Sequence, residues 1–352
     1  MKLFHPSVEG AQHGDKGLDG FLKFAKEAGA EGCQPSCYML QNAGMLPGKP
    51  FFPAAYIKQK FADAQLKLDG VSLHCLTWIV GTAWTGSKTI RPFIPKEVAA
   101  LSPDKIEEWA RTYCLNFFDL MNELNVGVVP MFYGVSFGWE VATGYPWGFF
   151  QGPDYDLVKE GIDRFVKQYD AIHGLADSND IVLAHEIHPG TAAMCADDFL
   201  TLVESSQQGL GIMGVNADPS HCWEGESWQD RFDKVGHRVY GCHVKNHHIR
   251  PGLPVRCMEP DWKKRPVQFT ALEQGDINLV RYTEQMIRIG YRDNYLKAMK
   301  LPDTATAPLV VEAEGAYENL DDISHRGIQY VRDNLCFEVA GGSFEKGMGA
   351  EK

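Results

Sequence analysis

Four apolar runs in the second half of the chain each end in a carboxylate or imidazole side chain. This recurrence constrains the fold more than any other feature. The clearest run is GIMGVNADPSH at residues 211–221, whose apolar residues predict a buried strand that ends before Asp218. The runs IVLAHEIHPG, RVYGCHVKNHH and PLVVEAEGAY place Glu186, His243 and Glu312 in the same way. We therefore predict four strands that each present a polar group at the carboxyl end.

Segments typical of strands and helices alternate along the rest of the chain. The best helix prediction covers 102–125, where Ser102 can cap, Pro103 takes the first helical position and acidic residues fill the first turn. The pattern predicts strands at 2–8, 30–35, 69–78, 126–131, 181–186, 212–215, 238–243 and 309–312. It predicts helices at 17–29, 53–68, 102–125, 154–176, 196–207, 227–235, 277–289 and 320–334.

Eight strand–helix units without a repeated sequence period or an evident linker predict an α/β fold, a single (β/α)8 TIM barrel. A length of 352 residues is within the range that such barrels occupy as one domain. We expect the domain to cover residues 1–352, with 338–352 as a loose C-terminal tail.

Two long loops rich in aromatic residues are predicted after the third and fourth strands, at 79–101 and 132–153. In TIM barrels the loops after the strands form the catalytic face. We therefore expect Trp84 and Trp147 to cover a pocket on that face, where aromatic rings suit the apolar face of a sugar. The alternative is that these aromatic residues only fill a cap over the barrel. His74 is placed near the end of the third predicted strand.

The four strand ends predict a metal site. A buried carboxylate is costly unless it is paired or bound to a cation, and convergence on a metal ion supplies that partner. For Asp218 alone, a role as a helix cap or turn residue would be an equal alternative. Together, Glu186, Asp218, His243 and Glu312 predict one divalent ion, with Mn²⁺ first and Mg²⁺, Co²⁺ or Zn²⁺ as alternatives.

Further polar residues near these strand ends are candidates for substrate contacts. His221 follows Asp218 by three residues and is placed to contact the substrate or to support a metal ligand; the alternative is a simple loop histidine. For His188 and Lys245, a role in the site and a purely structural role are equal alternatives, whereas His185 is assigned a structural role. The predicted substrate-binding residues are His188, His221, Lys245, Trp147 and His74.

Composition limits the partners. The formal net charge of −12 opposes binding to a phosphate backbone, so nucleic acid is not an expected partner. Nine cysteines without a CxxC pair indicate reduced thiols instead of a disulfide framework. The chain begins without the apolar core of a signal peptide, and no apolar run approaches the roughly 18 residues that span a membrane. We expect a cytoplasmic protein that does not bind membranes.

The motifs HEIHPG, NADPSH, HVKN and VVEAEG, in this order and spacing, resemble the metal-site motifs of the sugar phosphate isomerase/epimerase family. These are the xylose-isomerase-like TIM barrels that include the ketose 3-epimerases. The resemblance implies that Glu186, Asp218, His243 and Glu312 are the metal ligands and that His221 contacts the substrate. Asn246 stands where the family more usually has the aspartate of HxKD.

The resemblance implies a metal-dependent isomerase or epimerase of a keto sugar or related polyol. A divalent ion that chelates a carbonyl oxygen and an adjacent hydroxyl would stabilise the enediolate formed on loss of the proton between them. Glu186 and Glu312 would remove and return that proton on two faces, with His221 as the third predicted catalytic residue.

The main alternative is a lyase with the same metal and base chemistry. It would resemble the catalytic subunits of C-glycoside deglycosidases, which act on 3-oxo-glycosides and work with a small β-rich partner subunit. Association of the chain with further copies of itself, as a homo-oligomer, is the other alternative for its partners. A DNA-repair endonuclease is disfavoured by the charge of −12, and a non-catalytic sugar-binding barrel leaves the four ligand-type residues unexplained.

Overall fold

The structure is a computed structural model that describes residues 2–42, 51–137, 157–206, 209–222, 226–250, 261–315 and 317–338. The strands within these ranges are β1 (Phe4–Glu9), β2 (Gly32–Gln34), β3 (Lys67–Leu68), β4 (Val128–Met131), β5 (Val182–His185), β6 (Met213–Ala217), β7 (Val239–Val244), β8 (Asn246–Ile249), β9 (Val267–Thr270) and β10 (Ala307–Val311). The predicted tail at 338–352 lies outside the described residues except for Glu338.

Eight of these strands form one parallel sheet in the order β3–β2–β1–β10–β7–β6–β5–β4. Beyond β3, the backbone N–H of Leu73 donates to the carbonyl of Pro130 in β4 at 2.9 Å, so the two edges of the curled sheet approach each other. The prediction of a TIM barrel with eight parallel strands is confirmed. Because parallel neighbours share one direction, the carboxyl ends of the strands meet on one face.

The helices of the described chain are α1 (Gly17–Glu27), α2 (Ala54–Ala64), α3 (His74–Thr82), α4 (Lys96–Ala99), α5 (Pro103–Leu124), α6 (Leu157–Ser178), α7 (Ala196–Ser205), α8 (Trp228–Val235), α9 (Leu279–Arg288), α10 (Tyr291–Ala298) and α11 (Leu320–Asn334). Helix α5 begins at Pro103 as predicted, but the side chain of Ser102 makes no capping hydrogen bond. The helix ends where Asn125 adopts a left-handed conformation with φ of 60°.

The prediction of a third strand at 69–78 is wrong. The strand is only Lys67–Leu68, and His74 is the first residue of α3. Most of α3 is buried, and Leu76, Ile79 and Val80 have no exposed surface. A helix that is apolar on every side gives a continuous apolar run, which periodicity alone does not distinguish from a buried strand. The loop predicted at 79–101 is accordingly shorter, since α3 continues to Thr82.

The sequence pattern predicts no strand between 243 and 309, but this segment contains a β-hairpin. Strands β8 and β9 pair antiparallel, with Asn246 opposite Thr270 and Ile249 opposite Val267. The connection at 251–260 lies outside the described residues. Because β8 follows β7 after a single residue, the hairpin rises from the face on which the strands end. It brings Phe269 towards the predicted site.

The main hydrophobic core lies between the sheet and the helices. Phe21, Phe117, Phe165 and Phe199 are fully buried there, on four different helices. Burial of each such ring is worth roughly 1.5–3 kcal/mol. This packing holds the strands in register and fixes the positions of their ends.

Polar side chains occupy the space enclosed by the sheet. In β1, Phe4 stacks on Tyr291 outside the sheet, whereas His5 and Glu9 contact groups within the enclosed space. Alternation along a strand places residues two apart on one face, so the enclosed space runs from His5 to Glu9.

The eight cysteines within the described ranges are all free. No helix among the described residues combines the length and the apolar character needed to cross a membrane.

Candidate metal centre

The structure brings the four predicted ligands together. Glu186 follows β5, Asp218 follows β6, His243 lies in β7 and Glu312 follows β10. Each offers one ligand atom, and these four atoms all lie within 4.8 Å of one another. At most 9% of any of the four residues is exposed. Three carboxylates and one imidazole in so small and dry a volume form a donor set that suits one divalent ion.

His243 is central to this cluster. Its Nδ1 lies 3.0 Å from Glu186 Oε2 and 3.1 Å from Glu312 Oε2. On the other edge of the ring, Nε2 lies 3.0 Å from the side-chain oxygen of Gln34. Burial alone would lower the pKa of His243, but the charges of Glu312 and Glu186 outweigh burial and hold this pKa well above its usual value. Without a metal ion, a proton on Nδ1 occupies the position between the two carboxylates.

Glu186 is held by neighbouring side chains. Asn216 Nδ2 donates to Glu186 Oε2 at 2.9 Å, and His221 Nε2 lies 3.4 Å from Glu186 Oε1. Burial would raise the pKa of Glu186, yet the charge of His243 and hydrogen bonds from His221 and His243 bring it well below its usual value. The anchoring hydrogen bond of Glu186 thus comes from Asn216 of the neighbouring strand β6.

Asp218 shows that the cluster fits a cation. Its Oδ1 accepts a hydrogen bond from the backbone N–H of Ser220 at 2.7 Å. Its Oδ2 is buried and accepts no hydrogen bond from the described residues, although the cations of His221 and Lys245 lie 3.2 and 3.8 Å away. A buried carboxylate oxygen without a hydrogen bond is costly. A divalent ion bound among Glu186, Asp218, His243 and Glu312 would give this oxygen a partner.

Lys245 places a positively charged ammonium group beside the cluster. Its Nζ lies 3.2 Å from Glu312 Oε2, 2.7 Å from Glu314 Oε2 and 3.8 Å from Asp218 Oδ2. Burial would lower the pKa of Lys245, but Glu312 and Glu314 raise it well above its usual value, so the ammonium group is charged. The ring of Phe269 in the hairpin lies 4.4 Å from Nζ. Lys245 is therefore held in place on both sides.

Two imidazoles of opposite character lie next to the cluster. His221 Nε2 is 3.2 Å from Asp218 Oδ2, and Asp218 raises the pKa of His221 to about 9 although burial opposes the rise. The ring of His188 lies 4.0 Å from that of His221, and burial lowers the pKa of His188 to about 3. His221 is thus a cationic donor and His188 a neutral ring.

The remaining predicted substrate residues are placed differently. His74 Nε2 lies 3.5 Å from Glu186 Oε2, so His74 reaches the centre from the start of α3 instead of from a strand end. Its ring packs against Phe132, which follows β4. Trp84 donates to the carbonyl of Val135 at 2.7 Å. Trp147 lies outside the described residues, so its predicted role stays a prediction.

Four polar residues at the centre were missed by the sequence interpretation: Glu9, Gln12, Gln34 and Glu314. Gln12 Nε2 donates to Glu312 Oε1 at 2.8 Å and to Glu314 Oε1 at 3.3 Å. Burial raises the pKa of Glu9 to about 7, although the charges of His243 and His74 oppose the rise. The alternation of His5, Ser7 and Glu9 in β1 was an available signal, because it places polar residues on the inner face of a buried strand.

The family model for the xylose isomerase-like TIM barrel matches residues 22–315, which include all four predicted ligands. The chain belongs to this family. No curated protein matches the sequence significantly.

Three solved structures illustrate the similarity. The 3-keto-D-glucoside 4-epimerase YcjR of E. coli is 11% identical with a TM-score of 0.57, covering 94% of this chain and 99% of that one. The probable 3-DHS dehydratase AsbF of Bacillus anthracis is 17% identical with a TM-score of 0.55, covering 94% and 99%. A Mycobacterium smegmatis family protein in complex with magnesium is 14% identical with a TM-score of 0.57, covering 94% and 97%. At these identities the likeness shows a shared fold.

Proposed function

We propose that the protein is a divalent-metal-dependent isomerase or epimerase that abstracts the proton next to the carbonyl of a keto sugar or related polyol. One observation carries the proposal. Glu186 and Glu312 lie at the ends of β5 and β10, which are separated in the sheet by β6 and β7. Both carboxylates nevertheless approach His243 Nδ1 to about 3 Å. Two carboxylates that converge from different strands are suited to proton transfer on two faces of one carbon.

Glu186, Asp218, His243 and Glu312 would hold the metal ion. When bound, a divalent ion stabilises negative charge on a carbonyl oxygen and on its neighbouring hydroxyl. The oxygen-dominated donor set supports Mn²⁺ first, with Mg²⁺, Co²⁺ and Zn²⁺ as alternatives. The magnesium complex of the M. smegmatis family protein supports a divalent ion in general.

The cationic side chains around the cluster would orient the substrate. Lys245 and His221 are both buried and charged, and each can donate a hydrogen bond to a substrate oxygen that gains negative charge. His188 is neutral and can accept or donate to a hydroxyl group. Phe132 and Phe269 border these imidazoles and would exclude water from the reacting carbon.

We assign the more mobile acid/base role to Glu312 and the opposite face to Glu186. The side chain of Glu312 is 11% exposed, whereas that of Glu186 is 3% exposed and is held by Asn216. Gln12 and Lys245 also contact Glu312, so the assignment rests on its greater exposure, which lets this carboxylate loosen from the metal ion and accept a proton. The keto-sugar epimerase among the structural neighbours supports this type of chemistry.

A lyase that acts on 3-oxo-glycosides is the second candidate. It is favoured by two cationic donors beside the carboxylate bases, since Lys245 lies 3.2 Å from Glu312 and His221 lies 3.4 Å from Glu186. Elimination needs a base for the proton and an acid for the leaving group, and these residues supply both. The dehydratase among the structural neighbours is consistent with such chemistry. In this case a small β-rich subunit would be the partner.

The test is turnover in deuterated water. Metal-loaded protein is incubated with ketopentoses, ketohexoses and a 3-oxo-glucoside that carries a C-linked aromatic aglycone. We expect an epimer or isomer with deuterium at the carbon next to the carbonyl, detected by NMR and mass spectrometry. Glu312→Gln and Glu186→Gln should each abolish epimerisation, while one of them retains exchange from a single face. Glu204→Gln, at an exposed position, is the matched control.

The other outcomes separate the candidates. Release of the aglycone without an epimer would favour the lyase. Turnover by wild-type protein without deuterium incorporation would indicate hydride transfer and remove proton abstraction from the mechanism. Full activity after metal removal with a chelator would contradict the metal dependence.

A further inference from the structure

Two residues missed by the sequence interpretation, Glu9 and Gln34, lie on the edge of the His243 ring that points away from the metal cluster. We propose that they are positioning residues, which keep a proton on His243 Nε2 and so direct the lone pair of Nδ1 to the metal ion. This inference rests on the proposed metal site. It assigns the ligating atom of His243 and two residues that control metal affinity.

The contacts on the two edges of the ring carry the argument. Nδ1 faces Glu186 and Glu312, which are themselves predicted ligands. Nε2 faces two oxygen acceptors, Gln34 Oε1 at 3.0 Å and Glu9 Oε2 at 3.8 Å. Because an amide oxygen can only accept, the contact with Gln34 Oε1 requires hydrogen on Nε2, and the Glu9 carboxyl group at 3.8 Å favours the same arrangement; a neutral imidazole then has its lone pair on Nδ1. Binding of a metal ion would replace only the proton on Nδ1.

The backbone fixes both acceptors. Glu9 and Gln34 are paired neighbours at the ends of β1 and β2. The backbone N–H of Gly10 donates to the carbonyl of Gln34 at 2.9 Å, and that of Ala11 donates to Glu9 Oε1 at 3.1 Å. A Cβ atom at Gly10 would lie 3.0 Å from Pro35 Cα and 3.2 Å from the Gln34 carbonyl. The glycine therefore permits the close approach of the two strand ends.

Glu9 would destabilise the fold if it had only a structural role. It is 1% exposed, and its Oε2 has no hydrogen-bond donor among the described residues. Burial of an ionisable group without a partner is strongly unfavourable, and an apolar side chain would fill the same space at lower cost. A metal-bound His243 provides compensation, because the ion increases the positive character of the Nε2 hydrogen opposite Glu9. Carboxylate or carbonyl partners of a ligating histidine orient the ring and raise its basicity.

The proposal predicts how the residues at these two positions affect metal binding. Gln34→Leu removes the nearer acceptor and should weaken Mn²⁺ and Zn²⁺ binding by about 10- to 100-fold. Gln34→Glu keeps an oxygen acceptor and should remain close to wild type. Glu9→Gln replaces the carboxyl group with an amide and should weaken binding by less than Gln34→Leu, because Glu9 lies farther from Nε2.

Metal dissociation constants measured by competition with a chelating dye test this directly. Gln59→Leu, which removes an exposed glutamine, is the matched control and should bind metal like wild type. The melting temperature of each metal-free variant reports whether the fold is intact. In addition, ¹⁵N NMR of histidine-labelled wild-type protein with Zn²⁺ should show one ring with a proton on Nε2 and zinc on Nδ1. This second measurement needs no substitution.

Each outcome supports the inference or overturns it. A selective loss of affinity in Gln34→Leu, with rescue in Gln34→Glu, supports it. Wild-type affinity in Gln34→Leu, equal losses in the leucine and glutamate variants, or zinc on Nε2 of His243 would overturn it while leaving the metal site intact. A wild-type protein that binds no divalent ion would overturn the proposed function as well.

Discussion

At the scale of single residues, Asp218 is the most direct test of the metal centre. Its Oδ2 is buried without a hydrogen-bond donor among the described residues, so its charge depends on nearby cations. We expect Asp218→Asn to weaken divalent-metal binding more than about 100-fold, beyond the usual effect of losing a residue that only supports a ligand. Metal analysis after dialysis measures this. Asp303→Asn, at an exposed position, serves as control, and a variant at Asp218 that retains its metal contradicts the assignment.

The predicted ligands could be identified from sequence because each stands directly at the end of an apolar run long enough to be recognised. Glu9 and Gln34 could not be assigned in this way. Strand β2 has three residues, and β1 carries polar residues at alternate positions, so neither gives a clear apolar run. The contact of Gln34 with His243 joins positions 209 residues apart. Such a contact depends on the closure of the sheet, which local patterns do not describe.

At the scale of elements, the glycine of β7 links strand packing to the site. A Cβ atom at Gly241 would lie 2.3 Å from Asn216 Oδ1, and Asn216 donates to Glu186. We expect Gly241→Ala to displace Asn216, to destabilise the fold by about 1–3 kcal/mol and to weaken metal binding. Denaturant unfolding and metal titration check both effects. Gly211→Ala, where a Cβ atom meets nothing within 4 Å, should change neither.

Helices and strands were predicted correctly where the sequence shows a clear amphipathic pattern. Helix α11 was predicted at the observed bounds, because its polar face and its buried Ile323, Ile328 and Val331 give a clear helical period. Helix α3 was mistaken for a strand because its buried Leu76, Ile79 and Val80 lie in an apolar run without a clear polar face. The β8–β9 hairpin was missed because five of its eight strand residues are polar and its position above the barrel is set by tertiary packing.

At the scale of the whole molecule, the fold class followed from the alternation of strands and helices, whereas the identity of the substrate did not. The polar centre uses residues from β1, β2, β5, β6, β7 and β10 or from the segments directly after them, and only a closed sheet brings these together. Residues 138–153 of the aromatic loop predicted at 132–153 to cover the pocket lie outside the described residues. Specificity for one sugar depends on such loops more than on the barrel.

The buried histidines predict how the stability of the whole molecule depends on pH. His173 bonds to Tyr133 and Ser206, and burial lowers its pKa from 6.5 to about 4. Between these values the unfolded chain binds more protons than the native one. The contribution of His173 to stability is therefore complete above pH 6.5 and falls by on the order of 3 kcal/mol as the pH decreases towards 4. Burial also lowers the pKa of His185, to about 3, which acts in the same direction. Denaturant unfolding of chelator-treated protein at pH 7.5, 6 and 5 should show a steeper loss for wild type than for His173→Gln. Equal slopes in the two proteins would show that His173 does not remain neutral in the native state.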